Sequence, residues 1–106
     1  MSWKILYTEQ AQRDLDDIYG YIADVLLEPA VAKSLIGAIV KNIRTLNEMP
    51  MRCRLYDGEP WHSKGLRFLP VKNYIVFYLP NETDNTVTVV RIMFGGRDIN
   101  NQLNKS

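Results

Sequence analysis

The chain has one cysteine, one histidine and almost no net charge. Cys53 alone cannot form an intrachain disulfide. That excludes a small secreted scaffold held by bridges and fits a reducing cytoplasm. No run approaches the roughly 18 apolar residues that a membrane span needs. The opening MSWKILYTEQ turns polar too early for a secretory signal peptide. Glycine is scarce, at six residues, and Gly95-Gly96 completes no phosphate-binding fingerprint. Asp57, Glu59 and His62 match no metal-ligand spacing, so neither a metal nor another cofactor is expected. No repeat, low-complexity stretch or linker divides the sequence.

What is present is an ordinary globular composition. With 106 residues, 46% of them hydrophobic, the chain suits a single domain over 1–106 with one modest core. The net charge of +1 hides an asymmetry. Residues 1–50 hold five basic and seven acidic side chains, a balance of −2; residues 51–106 hold eight and five, a balance of +3. Arginines lead in the second half: Arg52, Arg54, Arg67, Arg91 and Arg97. A guanidinium suits two-point contact with phosphate or carboxylate. The basic half is thus either a solvated surface or a face for an anionic partner such as nucleic acid.

The periodicity predicts the order of elements. Trp3 to Tyr7 is a short strand. Thr8 can cap a helix whose stripe is Ala11, Leu15, Ile18 and Ile22, with Asp14 among the charges off the stripe. Pro29 starts a second helix running to about Asn47, its stripe Ala32, Ile36, Ile39, Ile43 and Leu46. Gly37 inside it is a small cost or a point of close approach by the first helix. The short junction makes the pair an antiparallel hairpin. Strand-like segments follow at Arg52–Tyr56, Leu66–Val71, Tyr74–Leu79 and Thr86–Phe94. Asn100 to Ser106 is polar and reads as a flexible tail. The fold class is therefore α+β: an N-terminal strand, a helical hairpin, and a three- to four-stranded antiparallel sheet. No element is left to cover the sheet face away from the hairpin.

Arg67 and Arg91 each sit inside a strand. If Leu66, Phe68, Val90 and Ile92 point to the helices, alternation turns both arginines to the uncovered face. Two guanidinium groups there would hold a phosphodiester and stabilise charge developing on it. The plainer alternative is an outward strand residue paired to an acid. His62 is a proton carrier near neutral pH or simply an exposed loop residue. Cys53 fits a small buried residue better than a nucleophile. Trp61 fits packing at the sheet edge, with base stacking as the alternative.

Several segments in order carry a family likeness. YTEQAQRDLDDIYGYI has a tyrosine, an A-x-x-D-L core and Tyr21-Ile22; a second helix ends at LNEMP. GLRFLPVKNYIVFYLP contains R-x-x-x-V-x-N-Y-x-x-x-Y, and VTVVRIMFGGRD forms the last strand. Together they resemble the RelE/ParE superfamily, the toxins of type II toxin–antitoxin modules. The resemblance implies the layout just described and a small cognate antitoxin, partly disordered, that folds onto the toxin beside the hairpin and the basic sheet face. It also implies one of two targets. RelE-like members cut messenger RNA in the ribosome and so stop translation; ParE-like members bind DNA gyrase without cutting RNA. On the first implication Arg67 and Arg91 stabilise the phosphate with help from Lys64, and Arg52, Arg54, Trp61 and Arg97 contact the RNA. RNA-cutting members often carry a histidine or tyrosine after the last strand. Phe94 to Ile99 has neither, so proton transfer falls to His62 and Glu59, with Tyr56 as a further candidate. The second implication needs no catalytic residue. A non-toxic, antitoxin-binding member is the third reading.

Overall fold

A computed structural model describes residues 2–96 and 98–105; the Arg97 assignment lies outside the described residues. β1 (Lys4–Tyr7) runs into α1 (Glu9–Gly20) through Thr8. Thr8 does three things at once. Its N–H donates to the Val89 carbonyl at 3.0 Å, its Oγ1 accepts from the Ala11 N–H at 3.0 Å, and its hydroxyl donates to the Val90 carbonyl at 2.8 Å. It therefore ends the strand, caps the helix and fastens both to one neighbour. α1 does not run on to the proline. Its last turn widens into a π-helical segment, Tyr21–Val25, closed by a Leu26 N–H to Tyr21 carbonyl bond of 3.0 Å. Leu27 then takes a left-handed φ of 57° at the hairpin tip.

α2 spans Pro29–Arg44 and tightens into a 3₁₀ turn at Thr45–Asn47. The Thr45 N–H closes the end of α2 on the carbonyls of Asn42 and Ile43. Arg52 braces the turn that follows: its Nη1 donates to the carbonyls of Thr45 and Glu48, each at 3.1 Å. Gly37 is exposed on this helix, and a Cβ there would meet nothing within 4 Å, so close approach of α1 is not its role. The expected strand at Arg52–Tyr56 is absent. Pro50–Arg52 is a 3₁₀ turn, and only Leu55 bridges to Arg67.

The remaining strands are β2 (Arg67–Val71), β3 (Tyr74–Asn81) and β4 (Thr86–Phe94), in the sheet order β1-β4-β3-β2. β2–β3 and β3–β4 are antiparallel, but β1 pairs with β4 in parallel, so the sheet is mixed. The long excursion through both helices allows that pairing, since a parallel neighbour needs a crossover. One irregularity decides the rest. Phe77 pairs with Arg91 while Tyr78 pairs with Val89, leaving Val90 as an extra residue. This bulge breaks the strict alternation of β4.

The hairpin face carries Ala11, Ile22, Ala32, Ile39, Ile43, Val71, Val76, Val89 and Ile92, with Tyr78, Val87 and Leu46 adjoining. The opposite face is also covered. α3 (Trp61–Lys64), Tyr56 and α4 (Ile99–Asn104) enclose Leu66, Phe77, Val90, Met93 and Leu103 there. The segment expected to be a tail is therefore a helix, and Leu103 is fully buried. Tyr56 Oη also donates to Asn100 Oδ1 at 3.2 Å. Among the described residues no helix is long and apolar enough to cross a membrane.

Leu103→Ala should cost about 2–4 kcal/mol, the usual range for emptying a fully buried leucine site. Urea unfolding measures it; a change within experimental error would mean that α4 does not hold the lower core.

Candidate functional site: a groove beside the helical hairpin

β1 is shorter than β4. Past Tyr7 the β4 edge has no strand beside it among the described residues, and α1 takes that place. Asp14, on the buried side of α1, accepts the Ile92 N–H at 2.9 Å on Oδ2. Arg91 closes on the same carboxylate from below: Nε to Oδ2 at 2.8 Å and Nη2 to Oδ1 at 3.1 Å. Its Nη1 lies 3.4 Å from the Gln102 carbonyl of α4, and Gln10 Nε2 donates to Asp14 Oδ1 at 3.0 Å. Arg91 and Asp14 are 9% and 6% exposed. A two-point pair with its other oxygen contacts satisfied is the arrangement a buried charge requires.

Arg67 and Arg91 do not converge. Leu66, Phe68 and Val90 face away from the hairpin, not toward it. Arg67 thus lies with Leu69 and Val71 on the hairpin side, opposite Tyr78. Its Nη1 donates to the carbonyls of Met51 and Cys53, at 3.1 and 2.5 Å. Arg91 pairs with Phe77 on the other face, two strands away. The expectation of two guanidinium groups on one open face fails on both counts, because the faces differ and each group is held by the protein. Cys53 is half-buried.

The other candidates lie along the loop into α3. Glu59 accepts the Ser63 N–H and hydroxyl at 2.8 and 2.7 Å. Those bonds hold its carboxyl below the ordinary range. His62 Nδ1 is 2.8 Å from the Tyr56 carbonyl. A carbonyl only accepts, so Nδ1 donates in this contact, and the residue is exposed. Lys64 Nζ sits 4.8 Å above the centre of the Trp61 ring. Trp61 packs against the lower core, and its buried Nε1–H has no acceptor among the described residues. Tyr56 lies beneath this loop with its phenol pushed up by burial. Arg54 is exposed, and Arg52 is engaged on α2. Among the described residues no cluster of three or more His, Cys, Asp or Glu side chains could hold a metal.

A groove of about 990 Å³ lies between the hairpin and the end of the sheet. Asp14, Ile92 and Tyr74 line it, with Tyr21, Leu26 and Val31 at its wall. Those last three are 54%, 51% and 52% exposed, and Phe94 at the sheet end is 46% exposed. Sequence reading missed Asp14 as a site residue. The signal was there: Ala11, Asp14, Ile18 and Ile22 recur at helical steps, and an acid inside a buried stripe requires a cation. The apolar wall was hidden because Tyr21–Leu26 falls in the π turn, where helical spacing no longer assigns faces.

Asp14→Ala should cost about 3–5 kcal/mol, since it strands the Arg91 charge in the interior. The double variant Asp14→Ala/Arg91→Met should recover part of that loss in urea unfolding; simple addition of the two single effects would refute the coupling. Tyr78 gives a second test. Its hydroxyl donates to the Pro50 carbonyl at 2.6 Å, and burial, with Cys53 beside it, raises the phenol above its ordinary 10.0. A raised value favours the neutral folded form, so this contribution is complete below pH 10 and lost as pH rises further. Tyr78→Phe should therefore show a shallower fall in stability above pH 10 than the parent chain, read as unfolding free energy against pH.

Residues 5–99 match the model of the ParE toxin of type II toxin–antitoxin systems, parDE. No curated protein matches the sequence at a significant level. Among solved structures, the chain superposes on the chromosomal ParDE system of P. aeruginosa with a TM-score of 0.71 at 22% identity, over 88% of this chain and 96% of that one. The RelBE2 complex of Mycobacterium tuberculosis gives 0.65 at 20% identity, over 89% and 92%. An E. coli RelE variant in the free state gives 0.67 at 11% identity, over 96% and 93%. At these identities the structural matches establish the fold. With the family match over nearly the whole chain, they identify the protein as a member of the ParE toxin family, a type II toxin of the RelE/ParE superfamily.

Proposed function

We propose that this toxin acts by binding DNA gyrase, in the ParE-like manner, and that a cognate antitoxin neutralises it by occupying the groove beside the hairpin. The observation that carries this reading is the disposal of the two strand arginines. RNA cleavage needs cations converging on one phosphate and an acid and base placed around it. Arg67 is spent on two backbone carbonyls and Arg91 on a buried carboxylate, on opposite faces of the sheet. A toxin that works by occupying its target needs neither. It needs exposed, partly apolar surface, which the hairpin offers at Tyr21, Val25, Leu26, Leu27 and Val31. The match to the ParE model supports the same choice.

One observation favours ribosome-dependent cleavage as the second reading. His62 is exposed, with Nδ1 held by the Tyr56 carbonyl, and lies close in sequence to Glu59 and Lys64. In that reading His62 is the proton carrier, Glu59 and Lys64 assist, and Arg54 with Trp61 meets the RNA.

Purified toxin should inhibit gyrase supercoiling, and antitoxin should relieve the inhibition. A translated messenger RNA, mapped by primer extension with and without ribosomes, should stay intact. His62→Ala and Arg67→Ala, checked for folding, should keep gyrase inhibition. Ribosome-dependent cuts that vanish in His62→Ala, with gyrase unaffected by the parent chain, would replace this reading with the nuclease.

A further inference from the structure

β1 is an end strand of the sheet, and its outer side is open among the described residues. Lys4 N–H donates to the Asn85 carbonyl at 2.9 Å and Thr8 N–H to the Val89 carbonyl at 3.0 Å. The even-numbered residues thus turn their backbone to β4. Trp3, Ile5 and Tyr7 turn theirs outward. Trp3 N–H is taken, by the Asn47 carbonyl at 2.8 Å. The N–H groups of Ile5 and Tyr7 have no acceptor on that side among the described residues. The opposite edge of the sheet differs. Beside β2, Phe68 N–H donates to the Arg54 carbonyl at 3.1 Å, Tyr56 N–H to the Leu66 carbonyl at 2.8 Å, and Leu55 bridges Arg67. Proteins usually blunt an edge strand with proline, a bulge or charge. β1 reads Lys-Ile-Leu-Tyr, with a charge only at its first residue. Ile5 and Tyr7 pack toward the hairpin core, and Leu6 stands 39% exposed on the other face.

We infer that this edge pairs with the same edge of a second copy of the chain, antiparallel about a two-fold axis, joining two sheets into one. Open strand-edge groups call for another backbone, and this edge complements itself in one register. With Leu6 on the axis, Ile5 exchanges both backbone bonds with Tyr7 of the second copy, and Tyr7 with its Ile5. Both open amides are then used, and Trp3 keeps its bond to Asn47. A register centred on Ile5 would set Trp3 against Tyr7 and need the amide that Asn47 holds. One centred on Tyr7 would set Ile5 against Glu9, which already belongs to α1. The side chains agree with the choice. Ile5 meets Tyr7 on the hairpin face, a β-branched residue beside an aromatic one, and Leu6 meets Leu6 on the other. Lys4 comes opposite Thr8, next to the exposed Glu9, so each copy offers an acid near the other's base. The two lysines stay roughly 13 Å apart along the strands. The contact is separate from the groove, whose lining includes no residue of β1.

The axis residue allows a direct test, because Leu6 is exposed enough to accept a charge. Leu6→Lys and Leu6→Glu each set like charges face to face at the axis, their Cβ atoms about 5 Å apart. The full-length chain, purified without antitoxin, should sediment as a monomer–dimer equilibrium. So short a contact makes a small interface, so the dimer should form in the micromolar range, and either variant alone should weaken it about tenfold or more. An equimolar mixture of the two variants, both checked for folding by circular dichroism, should dimerise at least as well as the parent chain. In the parent chain, amide exchange at Ile5 and Tyr7 should slow about tenfold as concentration carries it from monomer to dimer. A parent chain that stays monomeric overturns the inference. A dimer that both variants keep, or that mixing does not restore, places the contact elsewhere and overturns it too. Exchange at Ile5 and Tyr7 that ignores concentration does the same without any variant. Protection that comes only when antitoxin is added assigns the edge to the antitoxin and rejects the second copy. None of these outcomes depends on whether gyrase is the target.

Discussion

The Asp14 carboxylate is the contact on which the geometry of this toxin turns. β4 is nine residues long and β1 only four, so half of a strand edge would stand bare where α1 crosses it. A bare N–H in a partly enclosed place is costly, and a helix cannot satisfy it with its own backbone. Asp14 solves that by reaching from α1 to the Ile92 N–H, which creates a second problem, a carboxylate that is 6% exposed. Arg91 answers the second problem through a two-point pair. The three groups together fix how far α1 stands from the sheet, and so how wide the groove opens between them.

That settlement has a chemical consequence. The last-strand arginine is the residue that the family likeness implicates in holding a phosphate. Here its guanidinium faces a carboxylate from α1 and a carbonyl from α4. Freeing it for a phosphate would leave Asp14 as an uncompensated buried charge. A cost of several kcal/mol is large beside the roughly 5–15 kcal/mol that holds a domain together. Arg67 is less deeply bound but still answers two carbonyls of the turn after α2. Binding therefore asks less of this architecture than catalysis.

The parts of the fold that were legible in sequence are those set by long regular patterns. Thr8 as a cap, Pro29 as the start of α2, and β4 from Thr86 to Phe94 all stand where spacing puts them. The parts that were not legible involve a local departure from period. The residue left over at Val90 shifts the outward phase of β4, so alternation counted through it misassigns Val90. For β2, alternation is sound but cannot say which set faces the helices, since Leu66, Phe68, Leu69 and Val71 are all apolar. The answer depends on α3 and α4 giving the lower face a core of its own. α4 was invisible because its sequence, Ile-Asn-Asn-Gln-Leu-Asn, offers only Ile99 and Leu103 as anchors, too few to signal an amphipathic helix.

The apolar residues around the hairpin tip bear on how such a chain exists at all. Val25, Leu27 and Val31 are 65%, 76% and 52% exposed, beside Tyr21 and Leu26. A helical hairpin closed by regular α turns could bring more of these toward α2 and the sheet. The π turn prevents it by spreading five residues over a wider arc, and the left-handed Leu27 turns the chain outward before Pro29. Intramolecular packing thus stops short at this end, leaving a contiguous patch of the kind that marks an interaction surface. Tyr21, Leu26 and Val31 of this patch share a groove with Phe94 at the end of β4, so the exposed apolar surface and the end of the sheet lie together. An exposed apolar patch and an uncovered strand edge would each be a liability in a solitary protein, so their coincidence marks this end of the molecule as a place of association.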